Sequence, residues 1–264
     1  MAPTRDGYGK GLVEAGEKDQ RVVVLCADLT ESTRSHWFAE KFPERFIEIG
    51  VAEQNLALVA SGMANYGKIP FISSYATFSP GRNNEQIRTN ICINNVPVKI
   101  AGAHAGISVG PDGATHQALE DIGLMRQLPR MVVVVPCDAI EAQKATVAVA
   151  FNNAPSYVRI GREKSPVITT PETPFAVGRA EIFRDGTDAV IIGCGILLYN
   201  ALMAAEELSK EGIECIVINN HTIKPIDEAT IIAAAQKTGA VVTVEEHQVR
   251  NGLGSAVAEV LAKN

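Results

Sequence analysis

The stretch that decides the fold is FIEIGVAEQNLALVASG, residues 46–62, where two patterns of apolar residues meet. Phe46 to Ile49 alternate as in a β-strand, and the residues from Ala52 onward are spaced as on a helix. A strand followed directly by a helix is the repeating unit of α/β proteins. Glu53 lies at the junction, where burial of its carboxylate without a partner is costly. The helix dipole favours an acid in the first turn, so helix capping is the simplest interpretation.

Similar alternations continue on both sides of this stretch. The predicted strands of the first part are Val22–Leu29, Phe46–Ile49, Pro70–Ser74, Val96–Ala103, Met131–Val135 and Tyr157–Ile160. The predicted helices between them are Gly9–Lys18, Ala52–Tyr66, Asn84–Ile93, His116–Leu128 and Ala139–Asn152. The pattern predicts an α/β fold with a mostly parallel sheet and helices on both of its faces.

A second α/β domain follows a segment rich in proline and threonine. We predict a first domain over residues 1–163, a linker over 164–178 and a smaller domain over 179–264. The predicted strands of the smaller domain are Ala189–Gly193, Cys215–Asn219 and Val241–Glu245, with helices at about 197–211, 227–237 and from 255. The chain stops within an apolar helical pattern, so we expect this domain to be incomplete at its C-terminus.

Composition favours a protein that acts on small molecules. The chain is 46% hydrophobic and 20% charged, with a net charge of −6 and no block of like charges. This balance argues against nucleic-acid or anionic-membrane binding. The apolar runs are too short for a membrane span, and the first ten residues contain no signal-peptide core, so we expect a cytoplasmic protein. The five scattered cysteines are interpreted as reduced core residues.

Ligands of such sheets bind beyond the carboxyl ends of the strands, and the polar residues of this chain gather there. The residues that follow predicted strands are Asp28, Thr30, Ser32, Glu53, Tyr75, Phe78, His104, Asp112, His116 and Arg162. The loop HAGISVGPDGATHQ, residues 104–117, has no regular periodicity, which is typical of a binding or catalytic loop. A solvated loop that ends in a helix cap is the alternative. His104 and His116 are too far apart to share a helix face, so we predict no metal site.

Two further motifs have a functional and a structural interpretation. Tyr75 and Phe78, three residues apart after a strand, could stack on an aromatic ligand or pack in the core. Arg162, at the end of the last strand of the first domain, could bind a phosphate or form a surface salt bridge.

Taken together, five segments resemble the second half of transketolase in order and spacing. They are ADLTEST (27–33), IEIGVAEQN (47–55), SYATFSPGR (74–82), AHAGISVGPDGATHQALEDIGLMRQLP (103–129) and RIGRE (159–163). Two segments of the smaller domain also resemble transketolase, TIKPID and EEHQVRNGLGSAVAE. The chain is most similar to the C-terminal subunit of split transketolases, which comprises the pyrimidine-binding and C-terminal domains.

The resemblance implies thiamine diphosphate as cofactor. Glu53 matches the glutamate that hydrogen-bonds N1′ of the aminopyrimidine and favours its imino tautomer. Phe78 matches the aromatic residue that stacks on the pyrimidine, Tyr75 a second aromatic residue of the pocket, and Asp28 an acid near the cofactor. Gly81 departs from the family pattern, because a third aromatic residue is usual there.

The resemblance also implies the transfer of a two-carbon ketol unit between a ketose phosphate and an aldose phosphate. His104 and His116 match residues that bind the reacting hydroxyl and carbonyl end, and Asp112 matches the residue that reads the C2 hydroxyl of the acceptor. Residues matching the phosphate clamp are Arg5, Ser32 and Arg162. Glu53, His104 and His116 are the catalytic candidates. We expect His104, with a pKa near neutrality, to lie closest to the proton removed from the C3 hydroxyl.

The resemblance implies a partner, because the chain lacks the Gly-Asp-Gly and paired-asparagine motif that binds diphosphate and Mg²⁺. We expect both groups to be held by a separate N-terminal subunit, with a homodimer of this chain inside an α2β2 assembly. Alternatives within the superfamily are the β subunit of a 2-oxoacid dehydrogenase and a 1-deoxy-xylulose-5-phosphate synthase-like enzyme. A non-catalytic paralogue, kept for assembly or regulation, is an alternative of another class.

Overall fold

The computed structural model describes all 264 residues, which form two β-sheets flanked by helices. The strands are β1 (Val22–Cys26), β2 (Phe46–Glu48), β3 (Ile69–Tyr75), β4 (Lys99–Ala103), β5 (Val132–Val134), β6 (Ser156–Arg159), β7 (Glu181–Arg184), β8 (Ala189–Gly193), β9 (Cys215–Asn219), β10 (Thr222–Lys224) and β11 (Val241–Val244). The helices are α1 (Thr4–Lys18), α2 (His36–Lys41), α3 (Glu53–Asn65), α4 (Asn84–Gln86, continued by a π-helix over Ile87–Ile93), α5 (Asp121–Arg126), α6 (Ala139–Ala150), α7 (Leu198–Lys210), α8 (Glu228–Thr238) and α9 (Leu253–Lys263).

The larger sheet has seven strands in the order β10-β5-β6-β4-β3-β1-β2, and only β10 is antiparallel to its neighbour. Successive residues of β1 enter different clusters of the core. Val22 and Val24 pack with residues of α1 and α6, while Val23 and Leu25 pack with residues of α3. The sheet is therefore covered on both faces, which confirms the predicted fold class.

The smaller sheet has four strands in the order β11-β8-β9-β7, so the prediction of three strands in this part is wrong. β7 was missed because its residues are only partly buried and show no long apolar run. β10 was missed because it is short, and it joins β5 of the larger sheet rather than the smaller one. The largest core cluster contains residues of both sheets, including Ile100 and Ile192.

Two helix predictions change in length. α1 begins at Thr4, immediately after Pro3, instead of at Gly9. The helix predicted over His116–Leu128 is replaced by a 3-10 turn, Ala114–His116, and the short helix α5. The reason is that the segment between them runs across Gly106, whose backbone N–H donates to Ala118.

The five cysteines are free and buried, in agreement with their interpretation as core residues. None of the helices combines the length and apolarity that a bilayer span requires. α1 packs closely on α6 because Gly7 has no side chain; a Cβ there would lie 1.9 Å from the carbonyl oxygen of Ala139. This contact fixes the first turn of α1, which carries Arg5.

Candidate active site

The predicted site residues lie at one edge of the larger sheet, where its parallel strands end. Tyr75, the last residue of β3, lies opposite Ala103, the last residue of β4. β1 pairs with the other side of β3, so the loop that begins after β1 and contains Asp28 opens at the same edge. His104 follows β4 directly and has a left-handed backbone, with φ of 54°. This conformation is uncommon for residues other than glycine.

Glu53 is the first residue of α3, and its side chain is only 2% exposed. Glu53 is the acid of the first turn of α3, as predicted, but no backbone N–H of the helix donates to its carboxylate. Oε2 accepts a hydrogen bond from Nη1 of Arg82 across 2.7 Å, and no donor of the chain reaches Oε1. The buried Asn83 donates to the backbone oxygen of Glu53 and to the hydroxyl of Ser79. The ion pair offsets the cost of burying the charge, and Asn83 fixes the start of the helix.

Tyr75 and Phe78 form an aromatic wall next to Glu53. Their ring centroids are 6.0 Å apart, and the ring planes differ by 17°. His116 meets both rings edge-on, with centroid distances of 5.9 Å to Tyr75 and 5.3 Å to Phe78. The guanidinium carbon of Arg82 lies 4.9 Å from the centroid of Phe78. Arg82 thus links the carboxylate to the aromatic wall.

His104 is buried and stacks on Tyr75, with ring centroids 4.0 Å apart. Nε2 lies 3.2 Å from Nη1 of Arg5 and 3.3 Å from the backbone oxygen of Ser32. Nδ1 has no hydrogen-bond partner and lies 4.0 Å from the Asp112 carboxylate. Burial, reinforced by the charge of Arg5, lowers the pKa of His104 to about 4. The near-neutral pKa expected from the sequence is therefore wrong, and the ring is neutral at pH 7.

Two arginines, Arg5 and Arg162, lie close to this histidine, and Arg34 lies near Arg5 in an ion pair with Asp6. Nη1 of Arg5 donates to the backbone oxygen of Ser32 across 3.1 Å, and Nη1 of Arg162 donates to that of Val109 across 2.7 Å. Burial, followed by the positive charges of Arg34 and Arg162, lowers the pKa of Arg5. Such a concentration of positive charge suits an anionic group of a ligand.

The loop after β1 lines a cavity of about 270 Å³, formed by residues 28–32. The backbone N–H of Asp28 donates to Oε1 of Glu48 across 2.7 Å, and the Thr30 hydroxyl donates to Oε2 across 2.8 Å. Asp28 is exposed, and no hydrogen bond joins its carboxylate to another predicted site residue. Ser32 meets Arg5 and His104 through its backbone oxygen.

Sequence reasoning missed three charged residues of this region: Arg34, Glu48 and Arg82. Each lies inside or directly beside one of the transketolase-like segments. A charged residue at such a position was the only sign of a role that the sequence offered. Glu48, for example, is the charged residue among the apolar residues of β2. Its carboxylate accepts two hydrogen bonds from the loop after β1. Their partners are distant in sequence, which is why their roles appear only in the folded chain.

Gly81 stands where the resemblance implies a third aromatic residue, and the backbone leaves no room for one. A Cβ at this position would lie 2.0 Å from the carbonyl oxygen of Thr77. No group of three or more His, Cys, Asp or Glu side chains is arranged to hold a metal ion.

Two family models match consecutive parts of the chain. Residues 1–167 match the pyrimidine binding domain of transketolase, and residues 178–264 match its C-terminal domain. The chain belongs to the transketolase family.

Two transketolase subunits from other organisms align with almost the whole chain. The 6-deoxy-6-sulfo-D-fructose transketolase subunit SqwH of a Clostridium species is 40% identical, over 98% of this chain and 81% of the relative. An apulose-4-phosphate transketolase subunit of Phocaeicola vulgatus is 36% identical, over 100% and 85% respectively. A solved split gene transketolase, an inactive β4 tetramer, has a TM-score of 0.94 and 46% identity, over 100% of this chain and 85% of that one. This transketolase-family chain thus has the fold of a split transketolase subunit.

Proposed function

We propose that the chain is the C-terminal subunit of a two-subunit transketolase, which moves a two-carbon ketol unit from a ketose phosphate to an aldose phosphate. The observation that carries the proposal is the unbroken series of contacts from Glu53 through Arg82, Phe78 and Tyr75 to His104. This series places a buried carboxylate and an aromatic wall beside polar groups suited to a sugar.

The carboxylate and the aromatic wall fit an aminopyrimidine. Glu53 offers an oxygen that no donor of the chain reaches, and Tyr75 and Phe78 offer surfaces for a flat ring. When bound, thiamine diphosphate supplies the nucleophilic carbon that carries the two-carbon unit. Glu53 would hold ring nitrogen N1′ through a hydrogen bond, and Asp28 would be the acid near the cofactor.

The polar groups beyond the wall fit the reacting part of a sugar. His104 is neutral at pH 7 and binds the reacting hydroxyl. A proton taken up at its Nδ1 would be stabilised by the Asp112 carboxylate, 4.0 Å away. His116 binds the carbonyl end of the substrate, and Asp112 also accepts from the C2 hydroxyl of the acceptor.

The arginines fit the anionic end of the sugar. Arg5 and Arg162, with Ser32, bind the phosphate. The two relatives described above are named for a sulfonated and a phosphorylated sugar, which supports an anionic end group.

A partner subunit completes the site in this proposal. The sequence has no Gly-Asp-Gly diphosphate motif, so the diphosphate and Mg²⁺ are held by a separate N-terminal subunit. The solved split transketolase tetramer contains β chains and is inactive, which supports both self-association and the need for a partner. We place a homodimer of this chain inside an α2β2 assembly, with residues 164–178 between its two domains.

The decisive experiment mixes the purified chain with its N-terminal partner, thiamine diphosphate and Mg²⁺. Xylulose 5-phosphate plus ribose 5-phosphate should be turned over by the mixture and by neither chain alone. Ketol transfer by this chain alone would contradict the two-subunit assignment. Turnover of pyruvate in place of the sugars would favour an enzyme acting on 2-oxoacids. An assembled complex without any turnover would favour a non-catalytic paralogue.

A further inference from the structure

The smaller domain contacts the loop that carries Asp112 and His116. Oε1 of Glu246, just after β11, accepts a hydrogen bond from the backbone N–H of Ser108 across 2.7 Å. Gly106 makes this approach possible, because a Cβ there would lie 2.2 Å from the carboxyl carbon of Glu246. Gly106 also has φ of 89°, a conformation that side chains disfavour.

The residues around Glu246 also hold the other end of the loop. The backbone N–H of Gln248 donates to Leu119 across 2.8 Å. Nη2 of Arg159 donates to the backbone oxygens of Glu246, at 2.8 Å, and of Ala118, at 3.3 Å. Arg159 is itself fixed by the buried Asp121, 2.8 Å from its Nε. The segment after β11 therefore meets the loop at both ends.

Between these ends, the loop is held by local turns, by the hydrogen bond from Arg162 to Val109 and by packing of His116 on two aromatic rings. The N–H of Gly113 donates to Gly110, and the N–H of His116 donates to Gly113. The bonds within these turns stabilise the shape of the loop, while the anchored ends contribute to its position relative to His104. A change at either end would move both Asp112 and His116.

We propose that Glu246 is a positioning residue, which sets the place of Asp112 and His116 from the smaller domain. Glu246 reaches the loop backbone and none of the predicted site residues, so its effect is indirect. For its effect on a sugar substrate, this inference rests on the proposed function. The smaller domain thus has a role in acceptor binding, because it carries the anchor of the acceptor-binding loop.

Hydrogen exchange on the full chain tests the anchor without any assay of activity. Glu246→Ala should speed exchange of the amides of residues 106–110 about tenfold, because Ser108 loses a charged acceptor. Glu246→Gln keeps an acceptor oxygen and should change exchange less than about threefold. Glu245→Gln is the matched control, since Glu245 binds the backbone of Leu253 and Gly254 instead of the loop.

Kinetics of the complex with the N-terminal subunit test the consequence for the site. Glu246→Ala should raise KM for the aldose phosphate about tenfold and lower kcat by a smaller factor, with Glu246→Gln close to the wild type. Unchanged loop exchange in Glu246→Ala, or equal acceleration in Glu245→Gln, would overturn the anchor. A loss of kcat alone would overturn its role in binding the acceptor. If the wild-type complex shows no ketol transfer, the proposed function fails, and the exchange experiment still decides whether Glu246 holds the loop.

Discussion

Arg82 donates from Nη1 to Oε2 of Glu53 across 2.7 Å, which joins a guanidinium that is 49% exposed to a carboxylate that is 2% exposed. The carboxylate has no other donor within the chain. The stability of its charged form therefore depends on one arginine near the surface. This pair also connects the start of α3 to the aromatic wall of the site.

We expect Arg82→Ala to lower the free energy of unfolding of the isolated chain by about 1–3 kcal/mol, because a buried charged acceptor loses its donor. Thermal unfolding at pH 7 measures the change. Adding Glu53→Gln to this variant removes the buried charge and should recover most of the loss. A double variant no more stable than Arg82→Ala would show that the pair does not offset the burial of Glu53.

Glu53→Gln in the reconstituted complex should lower kcat by about 10²–10⁴-fold while the complex still assembles. The reason is that an amide cannot exchange a proton with the ring nitrogen that Glu53 is proposed to hold. Steady-state kinetics, with gel filtration as the check on assembly, gives the result. Glu85→Gln, at an exposed residue of α4, is the control. An unchanged rate in Glu53→Gln would remove the main support for the catalytic assignment.

Acid should destabilise the chain between about pH 6.5 and pH 4. Burial lowers the pKa of His104 and of His221 to about 4, so the unfolded chain binds these protons first as the pH falls. Each histidine contributes up to roughly 3 kcal/mol to the free energy of unfolding. This contribution is complete above pH 6.5 and is lost as the pH falls to 4.

His104→Asn should reduce the loss of stability between pH 6.5 and pH 4 by the contribution of one histidine. Asparagine tolerates the left-handed backbone and does not titrate. Unfolding measured from pH 4 to pH 8 in both proteins gives the difference. The comparison cancels the opposite effect of Glu141, whose pKa burial raises to about 7. Identical pH profiles would show that His104 is not buried as a neutral ring.

Gly81→Ala should destabilise the chain by about 1–3 kcal/mol, because the new Cβ would clash with the carbonyl of Thr77. Gly62→Ala in α3 is the matched control, since nothing lies within 4 Å of a Cβ there. That control should be neutral or slightly stabilising. Thermal unfolding of the two variants tests the packing, and equal stability would show that the turn at Gly81 can accept a side chain.

Most of the larger sheet could be predicted because its central strands carry apolar, buried runs. β1 and β3 are buried at every position, and such runs are visible in the sequence without any partner. β10 has three residues, and β7 is only half buried, so neither gives a comparable signal. Their places depend on pairing with β5 and β9, which are distant in the chain.

The same distinction holds for the candidate site. Most of its residues follow strands and could be located from topology, while Arg5 was located only through the resemblance, which also suggested the roles. The pKa of His104 could not be predicted, because it depends on burial against Tyr75 and on the charge of Arg5. The contact of Glu246 with Ser108 joins residues 138 apart in the chain and uses a backbone donor. No residue type in either segment therefore indicates it.

β10 has a consequence for how the molecule is made. Residues 222–224 complete the larger sheet, although most of that sheet precedes residue 160. During synthesis, the outer edge of β5 stays unpaired until the ribosome has delivered those residues, and open edges invite pairing with other chains. A gene fragment ending at residue 167 would keep that edge open permanently. The first domain to emerge is therefore completed only after three of the four strands of the smaller sheet have been made.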